Sequence, residues 1–181
     1  MSVRIAKMED IPRILDIYAP YVEQTAYTFE YTVPTMEEFT ERFQTITKQF
    51  PWLVWEEDGK VLGYAYGCAP FERAAFSWCA EPAIYLCPEA RGRGIGRALY
   101  ETLEDCLTKQ GYVVSYALIT TSNTGSVAFH EAMGYRKTAF LPDCGYKLKG
   151  WHGIIWMEKR LQFVENPRNM PIPFPKLVKN Y

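Results

Sequence analysis

"CPEARGRGIGRALYETLE", Cys87 to Glu104, sets Gly92, Gly94 and Gly96 among Arg91, Arg93 and Arg97, between a strand-like run and a helix-like one. Glycine reaches backbone angles closed to other residues, so successive N–H groups of such a turn can converge on one hollow. A helix starting near Gly94 adds the positive end of its dipole, worth about 0.3–1 kcal/mol per charge when exposed. Convergent N–H groups and three arginines make a turn built to hold a diphosphate. Two common phosphate loops are excluded. A dinucleotide fingerprint needs a small residue where Arg97 or Leu99 stands, and a Walker loop needs Gly-Lys-Ser/Thr.

Working outward, Ala83–Cys87, "AIYLC", reads as a strand stopped at Pro88. After the turn, Ile95, Ala98, Leu99, Leu103, Cys106 and Leu107 mark one face of a helix, with Gly111 where a C-terminal cap belongs. "YVVSYALIT" is the next strand and "SVAFHEAMG" a short helix. Two more strands are expected around Tyr135–Leu141 and Gly153–Leu161. On the other side, "SVRIA" is a short strand. Asp10 is placed to cap a helix through Ile11, Ile14, Leu15 and Tyr18. Thr35 and Glu38 form a capping box before Phe39, Phe43 and Ile46. "PWLVWEE", Asp58-Gly59 and "KVLGYAYG" read as a hairpin. The order is mixed α/β.

The chain has 181 residues, the size of one domain. Its 48% hydrophobic and 23% charged residues are ordinary for a folded domain. A net charge of −1, with no basic stripe beyond residues 91–97, argues against nucleic acid as a partner. No signal peptide or membrane span is read, so no membrane partner and a cytoplasmic location are expected. Five cysteines without a C-x-x-C pair suggest neither a disulfide framework nor a zinc site, and His130 and His152 form no metal pattern. No metal is expected. Four prolines in "NPRNMPIPFPKLVKN" make the end of the chain extended, either loose, laid along a surface, or packed on a second subunit. The expected division is a domain over residues 1–162 and a proline-rich tail over 163–181.

Arg91-x-x-Gly94-x-Gly96 between strand and helix, followed by Asn123 and by Glu131 with Gly134-Tyr135, resembles the GNAT superfamily of acetyltransferases. "FPWLV", "WCAEPAIYL", "HEAMGY" and "GYKLKGW" resemble, more narrowly and over roughly residues 3 to 161, its phosphinothricin and methionine sulfoximine acetyltransferase family. The resemblance implies a central twisted, mostly antiparallel sheet flanked by helices, acetyl-CoA as acetyl donor, and a homodimer. It implies a loop, Arg91, Gly92, Arg93, Gly94, Ile95, Gly96 and Arg97, that cradles the pyrophosphate of coenzyme A. Ile84, Tyr85 and Leu86 are expected to line the pantetheine arm, with Asn123 bonded to its amide and Ser126 within reach.

The chemistry follows from need. An ammonium must lose a proton before its nitrogen attacks a thioester, so a base must stand near it, and the resemblance puts Glu81 there. Charge gathering on the thioester oxygen needs a fixed backbone donor, and the resemblance puts it in "IYLC", with the N–H of Leu86 expected. The leaving thiolate needs a proton, and where many GNAT enzymes have a tyrosine this chain has His130, an acid or a substrate contact. Arg73, beside Glu72, is expected to pair with a carboxylate or phosphinate of a small amino-acid-like acceptor, with Phe29, Tyr31 and Trp78 as walls and Phe71 to Arg73 setting specificity. A covalent route through Cys79 or Cys87 lacks a partner base. Beside this reading stand acetylation of a protein N-terminus or another amine, and a non-catalytic acyl-CoA sensor.

Overall fold

A computed structural model describes residues 2–167 and 169–178. Strand β1 (Ser2–Ile5) leads into α1 (Ile11–Gln24) and α2 (Met36–Ile46). α1 buries Ile11, Ile14, Leu15, Tyr18 and Val22, a stripe at helical spacing. Its start differs from expectation: Asp10 makes no cap bond to α1. Its carboxylate instead accepts the Lys7 N–H at 2.8 Å and both Arg4 guanidinium nitrogens at 2.7 and 2.8 Å, closing the turn before the helix. The α2 capping box is formed, with Glu38 N–H donating to Thr35 Oγ1 at 3.2 Å and Thr35 N–H to Glu38 Oε2 at 2.8 Å.

β2 (Trp52–Glu57) and β3 (Lys60–Cys68) form the hairpin, and Asp58 and Gly59 take φ of 51° and 75°. β4 (Cys79–Leu86) begins four residues before the expected strand, so Glu81 and Pro82 lie within it. Next come α3 (Ile95–Gln110), β5 (Val114–Thr120), α4 (Thr124–Ala132), β6 (Arg136–Lys147), β7 (Gly150–Arg160) and α5 (Phe174–Val178). The seven strands run in the order β1-β2-β3-β4-β5-β7-β6, antiparallel except for β4 against β5. The last two strands extend further than the apolar pattern indicates. They meet at Leu148 and Lys149, whose φ of 50° and 64° the sequence does not advertise with glycine or asparagine.

β4 and β5 are paired at only two positions, Cys79 with Val114 and Ala80 with Ser115. Beyond them β4 stays with β3 and β5 with β7, and the sheet splits. Pro82 supplies a local reason. Cys87 N–H donates to Leu62 O at 3.0 Å, so alternation turns the main-chain groups of Cys87, Tyr85 and Ala83 toward β3 and those of Leu86, Ile84 and Pro82 toward β5. Proline has no N–H to offer at the position where pairing with β5 would continue.

One large core joins α1, α2 and α3 to the first four strands, with Trp52, 1% exposed, stacked on Tyr66 at 4.2 Å. Burial of such an aromatic makes truncation to alanine cost about 3–5 kcal/mol. A smaller core of Tyr100, Ala117, Ile119, Val127, Met133, Tyr135 and Met157 sits beneath α4. The C-terminal segment lies along this chain's own surface, with Ile172 N–H donating to Gln110 O at 2.7 Å and Phe174 N–H to Gln49 O at 3.0 Å. Among the described residues no helix is long and apolar enough to cross a membrane.

Candidate active site

Where β4 leaves β5, its open edge presents the N–H groups of Ile84 and Leu86. Leu86 does not stand free. Tyr21, from the last turns of α1, donates its hydroxyl to Leu86 O at 2.6 Å and accepts the Leu86 N–H at 3.2 Å. Arg91 Nη2 donates to the Tyr21 hydroxyl at 3.0 Å. The donor expected from sequence is therefore engaged by a residue that no motif marked, and Ile84 carries the other edge-facing N–H. Sequence reasoning missed Tyr21 because the contact spans 65 residues.

A groove of about 620 Å³ runs along this edge, lined by Ile84, Leu86 and Phe129 on its apolar side and by Arg91, Gly92, Gly94, Gly96 and Arg97 at one end. Gly92 and Gly94 have φ of 70° and 78°, which an L side chain adopts only with strain. A Cβ on Gly96 would touch Leu86 at 3.4 Å, and Ile84 and Phe129 at 3.6 Å, so glycine keeps the groove open there. Gly94 caps α3 without any side-chain bond to its first N–H groups. Uncapped N–H groups at a helix start are of the kind that can hold an anion. The arginines divide their work. Arg91 and Arg97 line the groove, Arg97 also reaching Glu101 at 3.2 Å. Arg93 turns away to grip both oxygens of Glu57 at 3.0 and 2.8 Å. Ile95 is buried in the core, so only its backbone belongs to the turn.

Side chains alternate along β4, so Glu81 and Tyr85 face the side opposite Ile84 and Leu86. Tyr85 packs against Tyr18, Tyr21 and Tyr64 at 4.9, 5.1 and 5.3 Å, as part of the wall toward α1 rather than of the groove. Glu81 stands in register with Cys68, whose thiol donates to the Glu81 carbonyl at 3.4 Å. Among the described residues its carboxylate has no ion pair, and burial pushes it up to about 7. Burial likewise raises the Cys68 thiol, to about 12, and the Cys79 thiol, leaving both protonated near neutrality.

His130 is not brought to the groove. It is 4% exposed, its Nε2 is 2.7 Å from the Tyr100 hydroxyl and its Nδ1 is 2.7 Å from Ser126 O. Nδ1 therefore carries the proton and Nε2 accepts from Tyr100, a neutral imidazole, in keeping with burial lowering its pKa. The expected acid is a clamp between α3 and α4. Ser126 and Asn123 do line the groove, and Asn123 also caps α4 by accepting the Ser126 N–H at 3.2 Å.

The residues expected around the acceptor fall into two groups. Phe29 lies over Gly145, where a Cβ would approach its ring within 2.3 Å, and near His152. Tyr31 donates to the carbonyl of Tyr146, so the loop between α1 and α2 rests on the tip of the β6–β7 hairpin. Lys147, unmarked in the sequence, fixes this contact by donating from a buried Nζ to Thr28 O at 2.8 Å. Phe71, stacked on Trp156 at 5.6 Å, shares with Glu72 and Arg73 a separate cleft of about 360 Å³. Trp78 turns its indole away, donating to Asn169 O at 3.1 Å.

Comparison with known proteins adds to this geometry. Residues 3–156 match the acetyltransferase (GNAT) domain. The chain is 30% identical over 168 residues to the phosphinothricin N-acetyltransferase of Streptomyces viridochromogenes, covering 93% of this chain and 92% of that one. It is 32% identical over 164 residues to the L-methionine sulfoximine/L-methionine sulfone acetyltransferase of Pseudomonas aeruginosa, covering 88% and 94%. The crystal structure of a GNAT superfamily phosphinothricin acetyltransferase from Sinorhizobium meliloti in complex with AcCoA superposes with a TM-score of 0.87, at 35% identity, over 94% of this chain and 92% of that one.

Proposed function

The chain belongs to the GNAT acetyltransferase family, and on that premise we propose that it transfers acetyl from acetyl-CoA directly to the amino group of a small amino-acid-like acceptor of the phosphinothricin, methionine sulfoximine or methionine sulfone type. The observation that carries this reading is the split beyond Ala80, with an uncapped helix start at one end and an unpaired, raised carboxylate at the other. The fit to acetyl-CoA rests on the Gly92–Gly96 cradle, the apolar walls of Ile84, Leu86 and Phe129, and an open strand edge. When bound, the cofactor supplies an activated acetyl thioester.

The protein's part is positioning, proton removal and charge stabilisation. Arg91, Arg97 and the N–H groups of the turn would hold the diphosphate. Leu86, whose N–H and C=O are bridged by Tyr21, would meet an extended arm at the strand edge only in exchange for that hydroxyl. Ile84 N–H, two residues closer to Glu81 and on the same edge, is the better oxyanion donor. Glu81 takes the proton of the ammonium from the opposite face, so donor and acceptor approach from the two sides of the sheet and meet in the split. With its pKa near 7, the carboxylate is ionised often enough to act and basic enough to accept. Arg73 and Phe29 bound the acceptor, and His130 acts only through Ser126 and Tyr100.

The test is release of coenzyme A thiol from acetyl-CoA with methionine sulfoximine, methionine sulfone, phosphinothricin, ordinary amino acids, polyamines and a peptide N-terminus. Turnover with the first three is expected, and no release with any small amino acid removes the proposal. We further propose a homodimer, supported by exposed Phe140, Leu141, Tyr146, Leu148 and Trp151 on the outermost hairpin. Light scattering at the mass of one chain would contradict it.

A further inference from the structure

We propose that the C-terminal segment 169–178 is a strap that positions the β3–β4 loop, residues 69–78, and so sets acceptor affinity; this rests on the acetyltransferase reading above. The strap is anchored at its far end. Phe174 is 7% exposed, Gln110 Nε2 donates to both Ile172 O and Gln49 O at 2.7 Å, and Gln49 Nε2 donates to Pro171 O at 3.4 Å. Gln110 is itself 1% exposed, so these bonds form where water does not compete.

At its near end the strap meets the loop. Met170 and Pro171 form one side of the cleft whose other side is Phe71, Glu72 and Arg73. Asn169 O takes the Trp78 indole N–H at 3.1 Å. Trp78 also holds the paired end of β4 and β5 together, just before the split, since its carbonyl accepts the N–H of Val113 at 2.9 Å and of Val114 at 3.3 Å. One residue is thus tied by its backbone to the start of β5 and by its side chain to the strap, three positions before Glu81. Beyond the strap, Phe71 packs on Phe76 at 4.4 Å and on Trp156 at 5.6 Å, while residues 72–76 are exposed and their one short turn is held by Phe76 N–H to Arg73 O at 2.9 Å and Ser77 N–H to Ala74 O at 3.1 Å. Small displacements of an acceptor relative to its base cost large factors in rate. The strap acts on Arg73 and Phe71 through packing and on the β4 start through Trp78, and has no contact with the groove that would hold acetyl-CoA.

Two variants separate this from a general loss of fold: Phe174→Ala, which unpins the strap, and Trp78→Phe, which removes only the indole donor. In Phe174→Ala, amide hydrogen exchange at residues 74–78 is expected to quicken about tenfold or more, with residues 92–97 unchanged. The KM for the acceptor is expected to rise about tenfold while that for acetyl-CoA stays within about twofold, and Trp78→Phe should shift both readouts the same way by less. Unchanged exchange at 74–78, or equal shifts in both KM values, overturns the strap. If wild-type protein turns over no amino acid, the acetyltransferase reading fails by itself and the exchange measurement alone decides whether the strap holds the loop.

Discussion

Along β3, strand β4 keeps six residue pairs in register, from Gly63 opposite Leu86 to Cys68 opposite Glu81; along β5 it keeps two before the strands part. The first edge satisfies its backbone by the ladder. The second does so only in part: Pro82 has no donor to satisfy and Tyr21 takes the Leu86 pair, but the Ile84 N–H stays open. An unpaired edge is a liability in most sheets. Here it is short, lies beneath α1 and α3, and faces a groove, which is where an extended ligand can complete the ladder. The ladder occupies one edge of the strand, and the proposed chemistry the other.

The comparison breaks most visibly if Glu81 is not the base at the mouth of the split. Glu81→Gln is expected to lower kcat about 10²–10⁴-fold with the KM for acetyl-CoA within about threefold. In the wild type, kcat/KM for the acceptor should climb as pH rises through about 7, to which burial raises the Glu81 carboxyl, and Glu81→Gln should abolish that rise. Burial raises this carboxyl in the fold, so its contribution to stability is present below its unfolded value and is lost as pH rises through about 7. Glu81→Gln should therefore melt higher than wild type at pH 8 and show a smaller difference at pH 5.

Filling the open edge comes next. Gly96→Val sets a branched side chain against Leu86, Ile84 and Phe129, and the KM for acetyl-CoA is expected to rise about tenfold or more while the melting temperature changes little. A melting loss with an unchanged KM would mean that the groove is merely core. On the closed side, His130→Phe leaves the Tyr100 hydroxyl without its acceptor, a cost of about 1–3 kcal/mol, with kcat expected within about threefold. A hundredfold loss of kcat at unchanged stability would restore His130 as an acid. The smallest effect is expected from Tyr21→Phe. It frees the Leu86 backbone pair and should move the KM for acetyl-CoA by no more than about threefold, leaving the acceptor KM alone.

The glycine turn, α3 with its Gly111 cap at φ 101°, the α2 capping box and the Asp58-Gly59 hairpin were legible because each is decided within a few neighbouring residues. In the candidate site the turn conformation at Gly92 and Gly94 was legible because the backbone carries it, whereas the start of β4 was not, lying four residues before the strand the sequence suggests. What was not legible depends on partners far away in the chain. Arg93 reads as part of the anion site until Glu57, 36 residues earlier, claims it. His130 reads as an acid or a substrate contact until Tyr100 packs over it. Asp10 reads as a helix cap until Arg4 takes its carboxylate. Leu86 reads as an open donor, and only the fold brings Tyr21 against it.

A crystal grown with coenzyme A reads the two edges of β4 at once. The diphosphate should accept N–H bonds of about 2.9 Å from the turn between Arg91 and Arg97, with the arm along Leu86 and Ile84 and the thiol in the split beside Glu81. A diphosphate bound elsewhere, or an arm lying outside a split that has closed, would contradict the account.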